Sequence, residues 1–448
     1  VAETDLGDLP PGYRYLFDRL AQRSKEPDLD RPERRRLGLA VERTRRLLGW
    51  LGNPHLSYQV IHITGTNGKS STAQVASALL RAKGVWAGTF TSPHLVDLSE
   101  RVSLGGRPIE AEELSQALLA VRRAEDATGE EPGFFEILTV AACVVFSWRA
   151  VEVAVVEVGI GGRHDSTNVL DADVAVVTNV GLDHLDLLGP TRVHVAHEKS
   201  GVIKSKSLAV IGERDPELRQ VLEAPPARAR WWAGEDFGVV SSVPVAAGRL
   251  MGCFTPFASY EEVFLALRGG HQARNAAVAL AGVEGLLGEP LGEAVVRAGF
   301  GAVSSPGRLE RFFVGGRPVF VDGVKNPTGA QAASLALTEE GFGPQQRVLV
   351  VGLLAERDPK EMIAALGAEQ AKRVFCCRPD TSRAMDPEIL ARAAAALGAD
   401  AMVSSSVREA IASALRICSP GEAVAVLGSL YLAGPARSVL EEMAKEVL

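Results

Sequence analysis

The chain has no excess of positive charge, few cysteines and no long apolar run, and each shortage removes a class of function. Lysine and arginine number 48 against 55 aspartates and glutamates, a net charge of −7. Without a basic footprint, no nucleic-acid partner is expected. The five cysteines form no C-x-x-C pair. Cys376 and Cys377 sit side by side at the end of Arg373-Val374-Phe375-Cys376-Cys377. They read as small buried hydrophobes in a reducing compartment, not as disulfide or metal ligands. No stretch approaches the roughly 20 apolar residues that cross a bilayer, so no membrane role is expected. The acidic opening Val1-Ala2-Glu3-Thr4-Asp5 leads into no apolar segment, so no secretory signal is expected and the cytoplasm is the anticipated location. A G-x-S-x-G elbow is missing, which leaves covalent hydrolase chemistry without support. His194, His197 and Glu198 give H-x-x-H, not H-E-x-x-H, and read as a solvated helix face. Internal repeats and low-complexity tracts are also lacking.

What the chain does have is length and alternation. At 448 residues it exceeds what one core organises, so two domains are expected. Arg34–Leu51 has helical spacing and stops at Gly52-Asn53-Pro54. Nearly continuous apolar runs at Val60–Thr64, Val85–Phe90, Val151–Val158, Asp173–Val180 and Leu208–Gly212 alternate with helical segments, among them 110–128 and 134–149. Such runs predict a parallel sheet covered on both faces, with ligands at the carboxyl ends of its strands. From Trp231 to Arg268 the pattern turns short, mixed and β-rich, and Gly270–Leu287 then reads as a helix. Gly299–Gly307 is the best linker. Beyond it a second alternation runs through Val319–Val321, Arg347–Leu353, Val374–Cys377, Met402–Ser404 and Ala423–Leu427. The expected architecture is α/β: an N-terminal P-loop parallel-sheet domain over 1–303 and a smaller Rossmann-like domain over 304–448.

The stretch richest in chemistry is Gly65-Thr66-Asn67-Gly68-Lys69-Ser70-Ser71, between the first strand and a helical segment reading from Thr72 to Lys83. Strand, glycine-rich turn and helix start make an anion cradle, with Lys69 adding a point charge and Ser70 or Ser71 a hydroxyl. The usual G-x-x-x-x-G-K-[ST] is only partly matched, because Ile63 stands at its first glycine. Glu157 ends an apolar strand and needs a partner there. Mg²⁺, which takes one or two carboxylates with waters and phosphate oxygens, suits it, and Arg163 is the alternative. His184, at the next strand end, reads equally as ligand, acid/base or structural residue.

In order along the chain stand G-T-N-G-K, T-S-P-H-L (91–95), F-F-E (134–136), E-V-G-I-G-G-R (157–163), T-N-V-G-L-D-H (178–184), E-K-S-G-V-I-K (198–204), H-Q-A-R-N (271–275), P-G-R-L-E (306–310) and G-S-L-Y-L (428–432). Together they resemble the folylpolyglutamate synthase/dihydrofolate synthase family, relatives of the Mur ligases of cell-wall synthesis. The resemblance implies an ATP- and Mg²⁺-dependent ligase that joins L-glutamate to dihydropteroate, a reduced folate or both through an acyl phosphate; separately, a monomer is expected. It implies that Ser92, Glu157 and His184 hold the metal, that Lys69 and His184 serve catalysis, and that Lys199 is carbamylated. It further implies that Asn275, Arg308 and Asp322 contact ATP with the loop residues. Phe135, Glu136, His164 and Asp165 fall where the pterin-bearing substrate binds, and Lys325 falls beside them in the substrate set. Ser70 stands where the family has glycine, which would bring a β-carbon into a tight turn. Lys325 replaces the histidine of D-x-A-H-N-P. Other readings of the same motifs are a ligase of UDP-N-acetylmuramate substrates and an ATP-binding regulatory protein without turnover.

Overall fold

Val60, Ile61, Ile63 and Thr64 are β-branched and buried, which suits a strand covered on both faces. In the computed structural model, which describes residues 9–25 and 33–446, they form β1 (Gln59–Thr64). The opening Val1–Asp5 lies outside the described residues. The other strands of the N-terminal sheet are β2 (Ala87–Phe90), β3 (Val102–Leu104), β4 (Arg107–Pro108), β5 (Val153–Glu157), β6 (Val174–Val177), β7 (Leu208–Ile211) and β8 (Ala229–Trp232). They run in the order β4-β3-β2-β5-β1-β6-β7-β8, parallel from β2 to β8, with β3 and β4 antiparallel at one edge. The register sets Ile63 beside Glu157 and Thr64 beside Val177, so the loops after β1, β5 and β6 open at one edge. That edge is where a doubly wound sheet collects ligands.

The helices of this domain are α1 (Pro11–Lys25), α2 (Glu33–Trp50), α3 (Lys69–Lys83), α4 (Ala111–Thr128), α5 (Phe134–Trp148), α6 (Leu185–Leu188), α7 (Arg192–Ser200), α8 (Pro216–Glu223), α9 (Gly270–Leu287) and α10 (Glu293–Gly301). On α4, Leu114, Ala117, Leu118, Val121 and Ala124 repeat at three- and four-residue spacing and are all buried, an apolar stripe facing the core. That stripe packs with Leu16, Leu47, Leu138 and Val156 on one face of the sheet. Leu79 and Leu80 of α3, Leu280 of α9 and Phe300 of α10 cover the other. Each such side chain contributes about 1.5–3 kcal/mol by leaving water. Residues 238–265, expected as loose β pieces, form a separate antiparallel sheet of β9 (Gly238–Val245), β10 (Gly248–Phe254) and β11 (Ser259–Leu265). The linker is shorter than its composition suggests, because α10 continues to Gly301.

The C-terminal domain is a mixed sheet in the order β12-β13-β17-β14-β15-β16, built from β12 (Glu310–Val314), β13 (Arg317–Asp322), β14 (Arg347–Val351), β15 (Arg373–Cys376), β16 (Ala401–Val403) and β17 (Ala423–Leu427). β12 pairs antiparallel with β13 and the rest are parallel. Arg347 is fully buried on β14, and its guanidinium donates to Phe342 O, Ser334 O, Ser334 Oγ and Thr338 Oγ1. It thereby clips the end of α11 (Pro327–Glu339) to the sheet, and no donor nitrogen is left unpaired at that buried position. All five cysteines are free and buried, as the composition suggested.

Candidate active site

Gly65 and Gly68 shape the turn after β1. Gly68 has φ +83° and caps α3, and a β-carbon there would lie 2.4 Å from Asn275 Oδ1. A β-carbon at Gly65 would lie 1.8 Å from Thr178 Oγ1. The helix therefore begins at Lys69, three residues before the expected start at Thr72. The first-turn N–H groups of α3 face the turn without intrahelical partners, the arrangement that binds phosphate. The turn itself is tied to the end of β6, where Asn67 N donates to Asn179 Oδ1 at 3.0 Å and Thr66 N to Asn179 O at 3.1 Å. Lys69 Nζ donates to Gly65 O at 3.1 Å. Burial, and then the charge of Lys325, bring its pKa down to about 8, against the opposing pull of Glu157.

Ser70 corrects the sequence reading. It lies in the first turn of α3 with no positive φ, so its β-carbon enters no strained position. Its Oγ donates to Glu157 Oε1 at 3.0 Å, and Ser92 N donates to Glu157 Oε2 at 3.0 Å. Arg163 is exposed and makes no contact with that carboxylate among the described residues, so the ion-pair alternative falls. Burial raises the Glu157 pKa, with Lys69 the main opposing charge. His184, at φ 52°, caps the short α6. Burial, with Lys325 and Arg357 against the pull of Asp183, lowers its pKa to about 4, so the imidazole is neutral at pH 7 and free to ligate. Ser92, Glu157 and His184 all line one cleft. Among the described residues no three carboxylate, His or Cys side chains gather as a complete metal site. One carboxylate, one hydroxyl and one imidazole leave room for water and phosphate oxygens, which fits Mg²⁺.

Helix α9 is wired to the loop. Asn275 Nδ2 donates to Gln272 Oε1 at 3.0 Å, and Gln272 Nε2 donates to Ser71 Oγ at 3.2 Å. From the second domain, Arg308, Asp322 and Lys325 reach the same cleft. Asp322 accepts from Leu309 N at 2.8 Å, and burial lifts its pKa to about 6 despite the Arg308 charge. Lys325, the departure from the family pattern, lies 3.4 Å from Asp183.

Phe134 and Phe135 also line the cleft. The Phe135 ring stacks on Phe90 with centroids 5.7 Å apart. Glu136 receives both Arg43 Nε and Nη2 at 2.8 Å, a bidentate pair from α2. Asp165 lines the cleft but spends its oxygens internally, accepting from Thr167 N and Ile160 N at 3.0 Å each and from Thr167 Oγ1. His164 Nδ1 lies 2.9 Å from Glu198 Oε1, so Glu198 is drawn off the solvated face on which His194 and His197 remain. Lys199 is buried and lines a small cavity with Gly65, Lys69, His184 and Lys325. Burial and the Lys69 charge hold its pKa well below the ordinary lysine value.

Four residues of the site carried no role in the sequence reading. Arg101 is buried over the Phe134 ring at 5.4 Å and donates to His94 Nδ1 at 2.8 Å, and burial lowers its pKa to about 10. Arg43, Asp183 and Arg357 are the others. Asp183 was visible inside T-N-V-G-L-D-H next to His184, but its partners lie more than a hundred residues away. The cleft that unites the two domains has a volume of about 1390 Å³.

Residues 63–283 match the Mur ligase middle domain and residues 307–430 the glutamate ligase domain of Mur ligases. The dihydrofolate synthase/folylpolyglutamate synthase of Mycobacterium tuberculosis is 36% identical over 90% of this chain and 90% of its own length. The structure of M. tuberculosis folylpolyglutamate synthase complexed with ADP superposes with a TM-score of 0.86 at 33% identity, covering 96% of this chain and 99% of that one. A bifunctional folylpolyglutamate synthase/dihydrofolate synthase with Mn, AMPPNP and L-glutamate bound gives a TM-score of 0.77 at 26% identity, over 90% of this chain and 94% of that one. With both domain models matched and a relative 36% identical over nearly the whole chain, the chain belongs to the folylpolyglutamate synthase/dihydrofolate synthase family of Mur ligases.

Proposed function

We propose that the protein is an ATP-dependent carboxylate–amine ligase that joins L-glutamate to dihydropteroate, a reduced folate or both, with ADP and phosphate as co-products. The observation that carries this reading is one cleft holding a phosphate loop, a buried carboxylate at the neighbouring strand end and the Phe134 and Phe135 rings, with Arg308 and Asp322 entering from a second domain. In this reading the division falls after residue 303, and the C-terminal domain binds glutamate and completes the ATP site. A monomer is the assembly expected in this reading, and no helix among the described residues is long and apolar enough to cross a membrane. The cytoplasm is the location that suits these small polar substrates.

The chemistry is two displacements. An oxygen of the substrate carboxylate attacks the γ-phosphorus, the bond to the β-phosphate oxygen breaks, and ADP leaves. The unprotonated amine of glutamate then attacks the acyl carbon, phosphate departs, and the amine's proton passes to solvent. Positioning and charge neutralisation do most of the work in such steps. Lys69 and the N–H groups of the α3 first turn face the transferring phosphoryl group. Asn275 and Arg308 hold the nucleotide, with Asp322 beside them. Glu157, Ser92 and His184 would hold Mg²⁺, which supplies further charge neutralisation at the phosphates. Phe135 offers an apolar face to the pterin, with Glu136, His164 and Asp165 around it, and Lys325 faces the incoming carboxylates. Lys199 suits carbamylation because burial disfavours its protonated form and favours the free amine, the form that adds CO₂. Activity that disappears on CO₂ removal and returns with bicarbonate checks that step. The function itself is tested by ADP release on mixing ATP, Mg²⁺, L-glutamate and either pterin acid. Release that ignores glutamate, or needs neither pterin, overturns it.

A further inference from the structure

Asp183 belongs to the N-terminal domain, one residue before His184, yet its bonding groups come mainly from the other domain. Its side chain is 4% exposed. Oδ1 accepts from Arg357 Nη1 at 2.8 Å, and Oδ2 lies 3.4 Å from Lys325 Nζ and 3.3 Å from Asn326 Nδ2. These donors follow two different strands of the C-terminal sheet, β13 and β14. The Asn326 amide also donates to Asn67 Oδ1 of the phosphate loop at 3.1 Å, while its oxygen accepts from Gly329 N and caps α11. One carboxylate and one amide therefore tie the second domain to both the phosphate loop and the residue before His184.

Two features separate this cluster from an ordinary surface ion pair. An exposed pair contributes little because water and salt screen it, whereas this carboxylate is buried and meets two cations and an amide. A metal role does not fit either, since the carboxylate already lies against two full cations, Arg357 and Lys325, that would repel a third. Among the described residues of its own domain, the basic group that comes near Asp183 is the neutral His184 ring, with Nε2 at 3.8 Å.

We propose that Asp183 is a positioning residue for ligation, the latch that holds the C-terminal domain closed over the phosphate loop. The inference rests on the reading that the reaction uses groups from both domains. Nucleotide can still bind the loop with the latch broken, though less tightly without Arg308, because Lys69 and the α3 N-terminus belong to the N-terminal domain. Ligation cannot proceed at its normal rate, because Lys325 and the second-domain residues around it are no longer held against the loop.

The test uses the full-length protein with Asp183→Asn, Asp183→Glu and Arg357→Met, each checked for folding by circular dichroism. Domain separation is read by small-angle X-ray scattering with a non-hydrolysable ATP analogue and Mg²⁺, and kcat and KM for ATP are read by ADP release. Asp183→Asn and Arg357→Met are each expected to enlarge the radius of gyration of the nucleotide-bound protein and to lower kcat at least tenfold. The analogue's Kd is expected to weaken severalfold as Arg308 is drawn away, but by less than kcat falls, and Asp183→Glu to restore part of the kcat. The double variant should be no worse than the poorer single, as for two members of one contact. Unchanged scattering with unchanged kcat overturns the latch. So does a loss of nucleotide affinity as large as the loss of kcat, which would place Asp183 in the nucleotide site. The scattering arm needs no pterin, so a wrong substrate assignment leaves the closure result standing and is told apart from failure of the latch.

Discussion

Replacing Asp322 by Asn should make the ligand-free protein more stable at neutral pH while impairing ATP turnover. The carboxyl is 6% exposed, and burial raises its pKa from the ordinary 3.8 to about 6. A raised carboxyl pKa means that folding favours the protonated form. Below about pH 3.8 the group is protonated in both folded and unfolded chains, and it costs nothing. Between there and pH 6 the unfolded chain ionises first, and stability falls. Above pH 6 both are charged and the full penalty remains, about 3 kcal/mol from the separation of the two values. Asn cannot ionise, and its oxygen can keep the bond from Leu309 N. Its amide would face the second donor, Val324 N, and lose that bond at a cost of about 1–2 kcal/mol. The net gain at pH 8 is therefore about 1–2 kcal/mol, or roughly 5 °C in the unfolding temperature of the domain. Differential scanning calorimetry of the two proteins from pH 4 to pH 8 measures it. The difference should grow in favour of the Asp322→Asn protein as pH rises and level off above pH 6–7. Parallel profiles would refute the reasoning, as would a difference that shrinks with rising pH.

Three further substitutions separate the parts of the site. Ser70→Gly should lower stability by about 1–2 kcal/mol, through loss of the bond to Glu157 and the glycine penalty in the first helical turn, without raising turnover. A large gain in kcat would instead show that Ser70 hinders the loop. Gly68→Ala should cost about 1–2 kcal/mol in backbone strain at φ +83° and displace Asn275, so ATP affinity measured by calorimetry should fall at least tenfold. Arg43→Met should destabilise by about 3 kcal/mol by stranding the buried Glu136 carboxylate, and should raise KM for the pterin acid more than KM for ATP.

The parts of the fold that were legible are those encoded locally. The β-branched run into Gly65 announced β1 and its turn, and the apolar runs ending at Glu157 and near His184 announced the strand ends that form the cleft. Ser70 was misread because a motif does not reveal where a helix begins. Once Gly68 is the cap, the next residues are helical and a β-carbon there is welcome. The edge strands β3 and β4 and the hairpin strand β12 went unseen because they are short and of mixed composition, with little periodicity to detect. The partners of buried charges were beyond reach for a different reason. Glu136 meets Arg43 from 93 residues away and Asp183 meets Arg357 from 174 residues away, and no local pattern pairs such groups. Asp165 shows the converse, since a residue expected to meet substrate is seen to hold a turn together.

The central claim is that this cleft couples ATP cleavage to formation of an amide on glutamate. The most direct measurement is ADP release with ATP, Mg²⁺ and L-glutamate, comparing dihydropteroate with tetrahydrofolate and reading the product by mass spectrometry. The account predicts glutamate-dependent ADP release with at least one of the two acids and a product heavier by one or more glutamyl residues. ATP turnover with no glutamylated product from either acid would contradict it.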